Sequence, residues 1–140
     1  MDHGRTHAGG EGLAVDVTTF RLSATVLGTA DPRGLAAFYR ELLGWELLAD
    51  RPEWVVLRPA GGGSGLSFQL EAEHVPPAWP SGPGEQQMQA HLDIAVDDLA
   101  AGVARAVELG AVEAAYQPQD DVRVLLDPAG HPFCLFEPQH

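Results

Sequence analysis

The sequence predicts an α+β domain built from two tandem βαβββ modules, and three observations favour this fold class. The chain has 140 residues, 45% of them hydrophobic and 20% charged, which is typical of one globular domain with a substantial core. The segments that begin at Thr25 and His91 each contain a strand-like run, an aspartate, a helical run and a final Leu-Gly. Strand-like segments follow both copies, so one structural unit is present twice.

The first module has a helix with clear start and stop signals. Asp31 is a favourable N-cap, and Pro32 suits the first helical position, where its missing N–H costs nothing. Gly44 supplies a left-handed stop. Between these signals, apolar residues recur at helical spacing: Leu35, Phe38, Leu42 and Leu43. The predicted strands of this module lie at residues 45–50, 53–59 and 65–73, with "AGGGSG" as the turn between the last two.

The second module repeats this order. Asp97 or Asp98 is expected to cap its helix and Gly110 to end it. The apolar stripe of this helix consists of Leu99, Val103, Ala106 and Val107. Pro128 and Gly130 suit the positions of a tight turn in "DPAGH". The predicted strands lie at residues 112–117, 121–127 and 132–138.

The domain boundaries follow from composition. We expect residues 1–19 to be a mobile leader, because they mix glycine, histidine and acidic residues without periodicity. His3 and His7 could bind a metal adventitiously, but this composition favours a solvated tail. The domain then spans residues 20–140. Its modules cover about 20–73 and 88–138, and the crossover 74–87 between them contains four prolines and two glycines.

The charge of the chain limits its partners. Twenty acidic and eight basic residues give a formal net charge of −12, and the basic residues form no patch. Nucleic acid and anionic membrane surfaces are therefore not expected as partners. No apolar run approaches the about 20 residues of a membrane span, and the N-terminus lacks a signal peptide pattern. We expect a cytoplasmic protein, and its one cysteine excludes an intrachain disulfide.

Three motifs carry a family resemblance: "DPRGLAAFYRELLGW", "HLDIAVDDLAAGVARAVELGA" and "LLDPAGHPFCLFEP". Together they resemble the vicinal oxygen chelate superfamily, which includes glyoxalases, extradiol dioxygenases and bleomycin-resistance proteins. With "FQ" and "VPPAWP", the chain is more narrowly similar to the glyoxalase-like domain branch, over about Arg21 to Pro138. The resemblance implies curved mixed sheets that enclose a cleft, helices on the outside and a homodimer.

The resemblance also implies where a metal would bind. In metal-using members each module contributes one ligand from its first strand and one from its last. The matching positions here are Ala24 (or Thr25) and His91 in the first strands, and Gln69 and Cys134 in the last. Hard divalent ions prefer carboxylate and imidazole ligands, and only His91 is a strong ligand of this kind. We therefore predict a degenerate metal site and no cofactor.

Strand alternation leaves a displaced site open. His91 and Asp93 share one strand face, and Gln69 and Glu71 share another. A site of His91, Asp93 and Glu71 could bind a divalent metal without the inherited geometry. His91 could equally act as a base oriented by Asp93, or be a cleft histidine satisfied by that carboxylate or by water.

Several other residues are candidates for binding or packing. Cys134 could be a nucleophile or a ligand, but its neighbours Phe133, Leu135 and Phe136 favour apolar packing. His131, in the turn before it, is interpreted as structural or as bordering the cleft. The expected ligand-binding set consists of Trp54, Arg58, Gln69, Glu71, Trp79, His91, Cys134 and Phe136.

Two functions follow from these residues; a third hypothesis, a dimeric module whose main partner is another protein, explains the fold but not the polar face of the cleft. The first is a small-molecule binder that sequesters a drug-like or natural-product ligand, which the acidic charge predicts to be cationic or neutral. The second is a lyase, isomerase or dioxygenase with a variant metal site, or a metal-free catalyst that uses His91 and Asp93.

Overall fold

The computed structural model describes residues 18–138 and confirms the α+β class with two tandem βαβββ modules. The predicted leader, with His3 and His7, lies almost entirely outside the described residues. The first module consists of β1 (Ala24–Thr29), α1 (Pro32–Leu43), β2 (Glu46–Arg51), β3 (Trp54–Arg58) and β4 (Gly65–Leu70). The second consists of β5 (Leu92–Ala95), α2 (Leu99–Leu109), β6 (Val112–Glu113), β7 (Val122–Leu126) and β8 (Pro132–Phe136).

Each module forms a four-stranded mixed sheet with the same topology. The strand orders are β1-β4-β3-β2 and β5-β8-β7-β6. In both sheets the first and last strands of the module pair in parallel, and the remaining pairs are antiparallel. The two sheets do not close into one barrel. Neither helix among residues 18–138 has the length and apolarity needed to cross a bilayer.

Strand β6 is shorter than the predicted strand at residues 112–117, and the side chain of Gln117 explains the difference. Its Oε1 accepts from the backbone N–H of Val124, and its Nε2 donates to the carbonyl of the same residue, both at 2.9 Å. The amide thus makes the two hydrogen bonds that a strand backbone would otherwise make. Backbone pairing between β6 and β7 therefore ends at Ala114, whose N–H donates to Val124 O.

The helix signals act as predicted. The Asp31 side chain accepts from Gly34 N at 3.0 Å, and Gly44 is left-handed with φ 71°. In the second module Asp98, not Asp97, is the N-cap, because its side chain accepts from Ala101 N at 3.1 Å. Each cap satisfies backbone groups that the helix leaves unpaired.

One hydrophobic core joins the two modules. Tyr39 of α1 stacks on Phe68 of its own module, with ring centroids 5.9 Å apart, and meets Phe133 of the second module edge-on at 6.1 Å. Phe38 contacts Phe133 as well, at 5.9 Å. All of these rings are buried. Aromatic pairs of this kind add to the free energy of burial, so these rings help to hold the two modules together.

A buried polar contact crosses the same junction. The Tyr39 hydroxyl donates to Asp127 Oδ2 at 2.7 Å, and Asp127 Oδ1 accepts from the N–H groups of Ala129 and His131 at 2.9 and 3.0 Å. Burial raises the pKa of the Asp127 carboxyl, while the bond from Tyr39 opposes that rise. Burial, with the nearby carboxylate, raises the pKa of Tyr39 well above its ordinary value. The turn at residues 127–131 is thereby fixed to the first module.

Tyr39→Phe tests this contact. The substitution removes the hydrogen bond that stabilises the Asp127 anion, so it is expected to lower the free energy of unfolding by about 1–3 kcal/mol at pH 7. It also raises the folded-state pKa of Asp127 further, and stability then falls as pH rises from the ordinary value of 3.8. The loss should therefore be smaller near pH 4, as measured by urea unfolding at both pH values.

Tyr116→Phe is the matched control, because Tyr116 is half exposed and only its backbone carbonyl accepts a hydrogen bond. It should change the free energy of unfolding by less than about 0.5 kcal/mol. Equal losses in the two variants would contradict a structural role for the buried bond.

Candidate functional site

The site begins on the face of the second sheet that points away from the core. On β5, Leu92 and Ile94 pack against the core, so His91 and Asp93 lie on the opposite face. On β8, Phe133 and Leu135 are fully buried, and the alternation places Cys134 on the same face as Asp93. Asp93 and Cys134 are partners in the parallel β5–β8 register.

Three side chains converge there. His91 Nε2 lies 3.0 Å from Asp93 Oδ1, and the ligand atoms of His91, Asp93 and Cys134 all lie within 4.8 Å of one another. Burial raises the pKa of the Cys134 thiol, and the carboxylate of Asp93 raises it further. Cys134 is therefore a protonated thiol at neutral pH rather than an activated nucleophile. Its side chain faces Asp93 on the outer face of the sheet, whereas its neighbours Phe133 and Leu135 pack in the core.

The register of the first module changes one sequence assignment. Leu27 lies four residues before the N-cap of α1 and pairs with Phe68. Ile94 lies four residues before the N-cap of α2 and pairs with Leu135, so it is the equivalent of Leu27. The residue that corresponds to Cys134 is consequently Ser67, and not Gln69, two residues further along. Gln69 corresponds to Phe136 instead. The assignment of Ala24 as the counterpart of His91 is retained, since each lies seven residues before its N-cap.

The inherited metal positions do not fit a hard divalent ion. Ala24 has no donor, Ser67 offers a buried neutral hydroxyl, and Cys134 offers a thiol with a raised pKa. Only His91 supplies a ligand that such ions favour. The cluster of His91, Asp93 and Cys134 is instead a donor set that suits Zn²⁺, and it comes wholly from the second module.

Glu71 does not join this cluster, although the sequence placed it in a displaced site with His91 and Asp93. Its Oε1 accepts from Gln69 Nε2 at 3.3 Å, beyond the end of β4. Among residues 18–138, the grouping of His91, Asp93 and Cys134 is the one that brings three potential ligands together.

A pocket lies where the two modules meet, and we call it the junction pocket. It has a volume of about 380 Å³ and is bordered by β1, the start of β5, both ends of the crossover and the 127–131 turn. Its lining residues are Thr25, Val26, Leu27, His74, Val75, Pro77, Gln86, Gln87, Met88, Gln89, Ala90, His91, Leu92 and His131.

A smaller pocket adjoins it on the outer face of the second sheet, and we call it the sheet pocket. It has a volume of about 170 Å³ and is lined by Trp79, Met88, His91, Pro118, Gln119, Val122, Val124, Pro132 and Cys134. The Trp79 indole donates to Tyr116 O at 3.2 Å and packs against the Tyr116 ring, which holds the crossover over the sheet. Met88 and His91 line both pockets.

The structure divides the predicted binding residues into two groups. Trp79, His91 and Cys134 line the pockets. Trp54, Arg58, Gln69 and Glu71 belong to the first module and line neither pocket. Arg58 is engaged locally, because its guanidinium donates to Ser23 Oγ at 3.0 Å and to the carbonyls of Ser23 and Gly63. Phe136 is half-buried between its strand neighbours Ala95 and Val122, also outside both pockets.

Sequence reasoning missed His74 and Met88 and gave His131 a mainly structural role. His131 does both: its Nε2 bonds to Gly28 O at 2.7 Å, and its ring lines the junction pocket. His74 Nε2 bonds to Ala129 O at 2.8 Å, and the centroids of the His74 and His131 rings lie 5.0 Å apart. The available signal for His74 was its position at the start of the proline-rich crossover, since irregular loops often carry binding residues.

Comparisons with known proteins agree with this architecture. A family model described as a glyoxalase-like domain matches residues 24–136. No curated protein matches the chain. A glyoxalase/bleomycin resistance protein/dioxygenase family enzyme from Burkholderia phytofirmans PsJN superposes with a TM-score of 0.64 at 20% identity, covering 84% of this chain and 98% of that one.

Two further structures share the fold. TnmS3, an antibiotic binding protein from Streptomyces sp. CB03234, has a TM-score of 0.54 at 23% identity, with 88% of this chain and 99% of that one covered. A glyoxalase/bleomycin resistance protein from Albidiferax ferrireducens T118 has a TM-score of 0.59 at 18% identity, with 84% and 98% covered. The chain belongs to the glyoxalase-like domain family, within the vicinal oxygen chelate superfamily.

Proposed function

We propose that this protein binds a neutral, largely apolar small molecule, of drug-like or natural-product type, in the junction pocket and the adjoining sheet pocket. The observation that carries the proposal is the lining of the two pockets. Neither lining contains an aspartate, glutamate, lysine or arginine, although the chain has a net charge of −12. A charged guest would lose its hydration without gaining an opposite charge. A neutral guest is therefore favoured over a cationic one.

The size and walls of the pockets support this role. A volume of about 380 Å³ lies within the roughly 300–1,000 Å³ range of small-molecule sites. Val26, Leu27, Val75 and Leu92 provide apolar contact in the junction pocket, and Trp79 provides an aromatic wall in the sheet pocket. Apolar walls with few polar groups are the usual composition of such sites.

The comparison with TnmS3, an antibiotic binding protein, supports sequestration as the use of such a pocket. Sequestration needs affinity and no chemical step. The loss of donors at Ala24 and Ser67 would cost a binding protein nothing, whereas it would remove half of a two-module metal site.

An enzyme is the second candidate, and the contact between His91 and Asp93 favours it. The carboxylate lies 3.0 Å from Nε2 and orients the ring, and His91 borders both pockets. An imidazole held in this way can act as a general base toward a bound substrate. With Cys134, the same residues could instead hold a zinc ion, which would supply a Lewis acid.

Metal analysis separates the two candidates. We expect protein purified without chelator or affinity nickel to contain no stoichiometric divalent metal by plasma mass spectrometry, because the inherited positions hold too few suitable donors. Stoichiometric zinc that is lost in His91→Ala but kept in His74→Ala would contradict the binder and favour the enzyme.

Ligand binding is expected to quench tryptophan fluorescence through Trp79. Neutral brominated aromatics, which quench an indole only near contact through the heavy-atom effect, should reduce the emission of Trp79 when they bind beside it. Trp79→Phe should abolish most of this quenching, whereas Trp54→Phe should preserve it, because Trp54 lines neither pocket. Quenching that is lost only in Trp54→Phe would place the ligand on the first sheet and contradict this site.

We also propose a homodimer, as the family resemblance implies. Leu48 and Leu70 on the first module are 58% and 42% exposed, and a second copy would cover such apolar surface. Sedimentation velocity should give a mass near twice 14.9 kDa. A monomer at micromolar concentration would contradict the proposal.

A further inference from the structure

Three imidazole rings line the junction pocket, and they come from three different parts of the chain. His74 belongs to the crossover, His91 precedes β5, and His131 belongs to the turn before β8. Three of the fourteen lining residues are thus histidines, and two of their rings lie with centroids 5.0 Å apart. Such a concentration of one polar side chain can impose a hydrogen-bonding preference on the ligand.

The hydrogen bonds of these rings determine which nitrogen carries the proton. Nε2 of His74 lies 2.8 Å from Ala129 O, and Nε2 of His131 lies 2.7 Å from Gly28 O. A backbone carbonyl oxygen only accepts, so each Nε2 must donate and must carry hydrogen. His91 Nε2 lies 3.0 Å from a carboxylate oxygen of Asp93, which likewise accepts. In the neutral ring, hydrogen on Nε2 leaves the lone pair on Nδ1.

All three Nδ1 atoms therefore present acceptors. Within residues 18–138, each of these rings makes its hydrogen bond through Nε2, and none is recorded at Nδ1. His74 and His131 are partly buried, and no buried side-chain nitrogen or oxygen of such residues among 18–138 lacks a partner, so their Nδ1 atoms reach open space. His91 is itself exposed. The junction pocket borders all three rings, and His91 also borders the sheet pocket.

We propose that the junction pocket selects, among neutral aromatic molecules, those that carry an O–H or N–H donor directed at these Nδ1 acceptors. This inference rests on the proposed binding function and specifies its ligand class as phenols, enols or N–H heterocycles. The three glutamines of the lining, Gln86, Gln87 and Gln89, both donate and accept, so they do not offset the surplus of acceptors.

The energetic reason is the cost of unmet acceptors. A ligand without a donor displaces water from the Nδ1 atoms and leaves them without a hydrogen-bond partner. A ligand with a donor replaces the hydrogen bond that the water made. A site built to bond a hydroxyl rejects an analogue without it far more strongly than an apolar pocket distinguishes ligands by size.

A size-matched pair of probes tests the inference. 2-Naphthol and 2-methylnaphthalene have nearly the same shape, and the methyl compound is the more hydrophobic. Isothermal titration calorimetry at pH 8, where an imidazole is ordinarily neutral, should show 2-naphthol binding at least about tenfold more tightly. If both compounds bind and the methyl compound binds equally or more tightly, the inference is overturned and the proposed function stands. If neither binds, the proposed function fails as well.

His74→Gln and Val75→Ala locate the source of the preference. In His74→Gln the amide nitrogen can still donate to Ala129 O, but no acceptor occupies the place of Nδ1. The preference for 2-naphthol should then fall by several-fold. Val75→Ala removes only apolar contact from the same pocket and should weaken both probes alike, leaving their ratio unchanged. An unchanged ratio in His74→Gln, or a ratio that falls equally in Val75→Ala, would overturn the assignment to Nδ1.

Discussion

The buried hydrogen bond from Tyr39 to Asp127 is the contact on which the rest of the site depends. It joins the helix of the first module to a turn of the second across 2.7 Å, inside the aromatic core. Since the carboxylate of Asp127 also bonds the backbone of that turn, it holds His131 where the ring reaches Gly28 O on β1. The junction pocket exists because these two modules are fixed in this arrangement.

The duplicated scaffold and the side chains at its matched positions have opposite implications. The family resemblance implies a metal between the two modules, but Ala24 offers no donor there and Ser67 offers only a buried neutral hydroxyl. What remains on the second module is a cluster in which Asp93 is already bonded to His91. The cavity beside it is uncharged and of a size that suits a small organic molecule.

Local signals explain why the module order was predictable. Asp31, Pro32 and Gly44 act within a few residues of themselves, and strand alternation alone placed His91 and Asp93 on one face. The counterpart of Cys134 was misassigned because Ser67 and Gln69 share a strand face, and only pairing with β1 distinguishes them. The place of His74 was not predictable, since its contact with Ala129 joins residues 55 positions apart through an irregular crossover.

The methyl group of Met88 offers the most direct test of the central claim, because Met88 lines both pockets and the chain has only one other methionine, Met1. With 13C-labelled methionine methyls, a neutral aromatic ligand should shift the Met88 resonance saturably, and substoichiometric Co²⁺, a paramagnetic substitute for Zn²⁺, should leave it unshifted and sharp. A selective shift or broadening of the Met88 methyl by Co²⁺, without any shift from neutral aromatic ligands, would show a working metal site and contradict a binding protein.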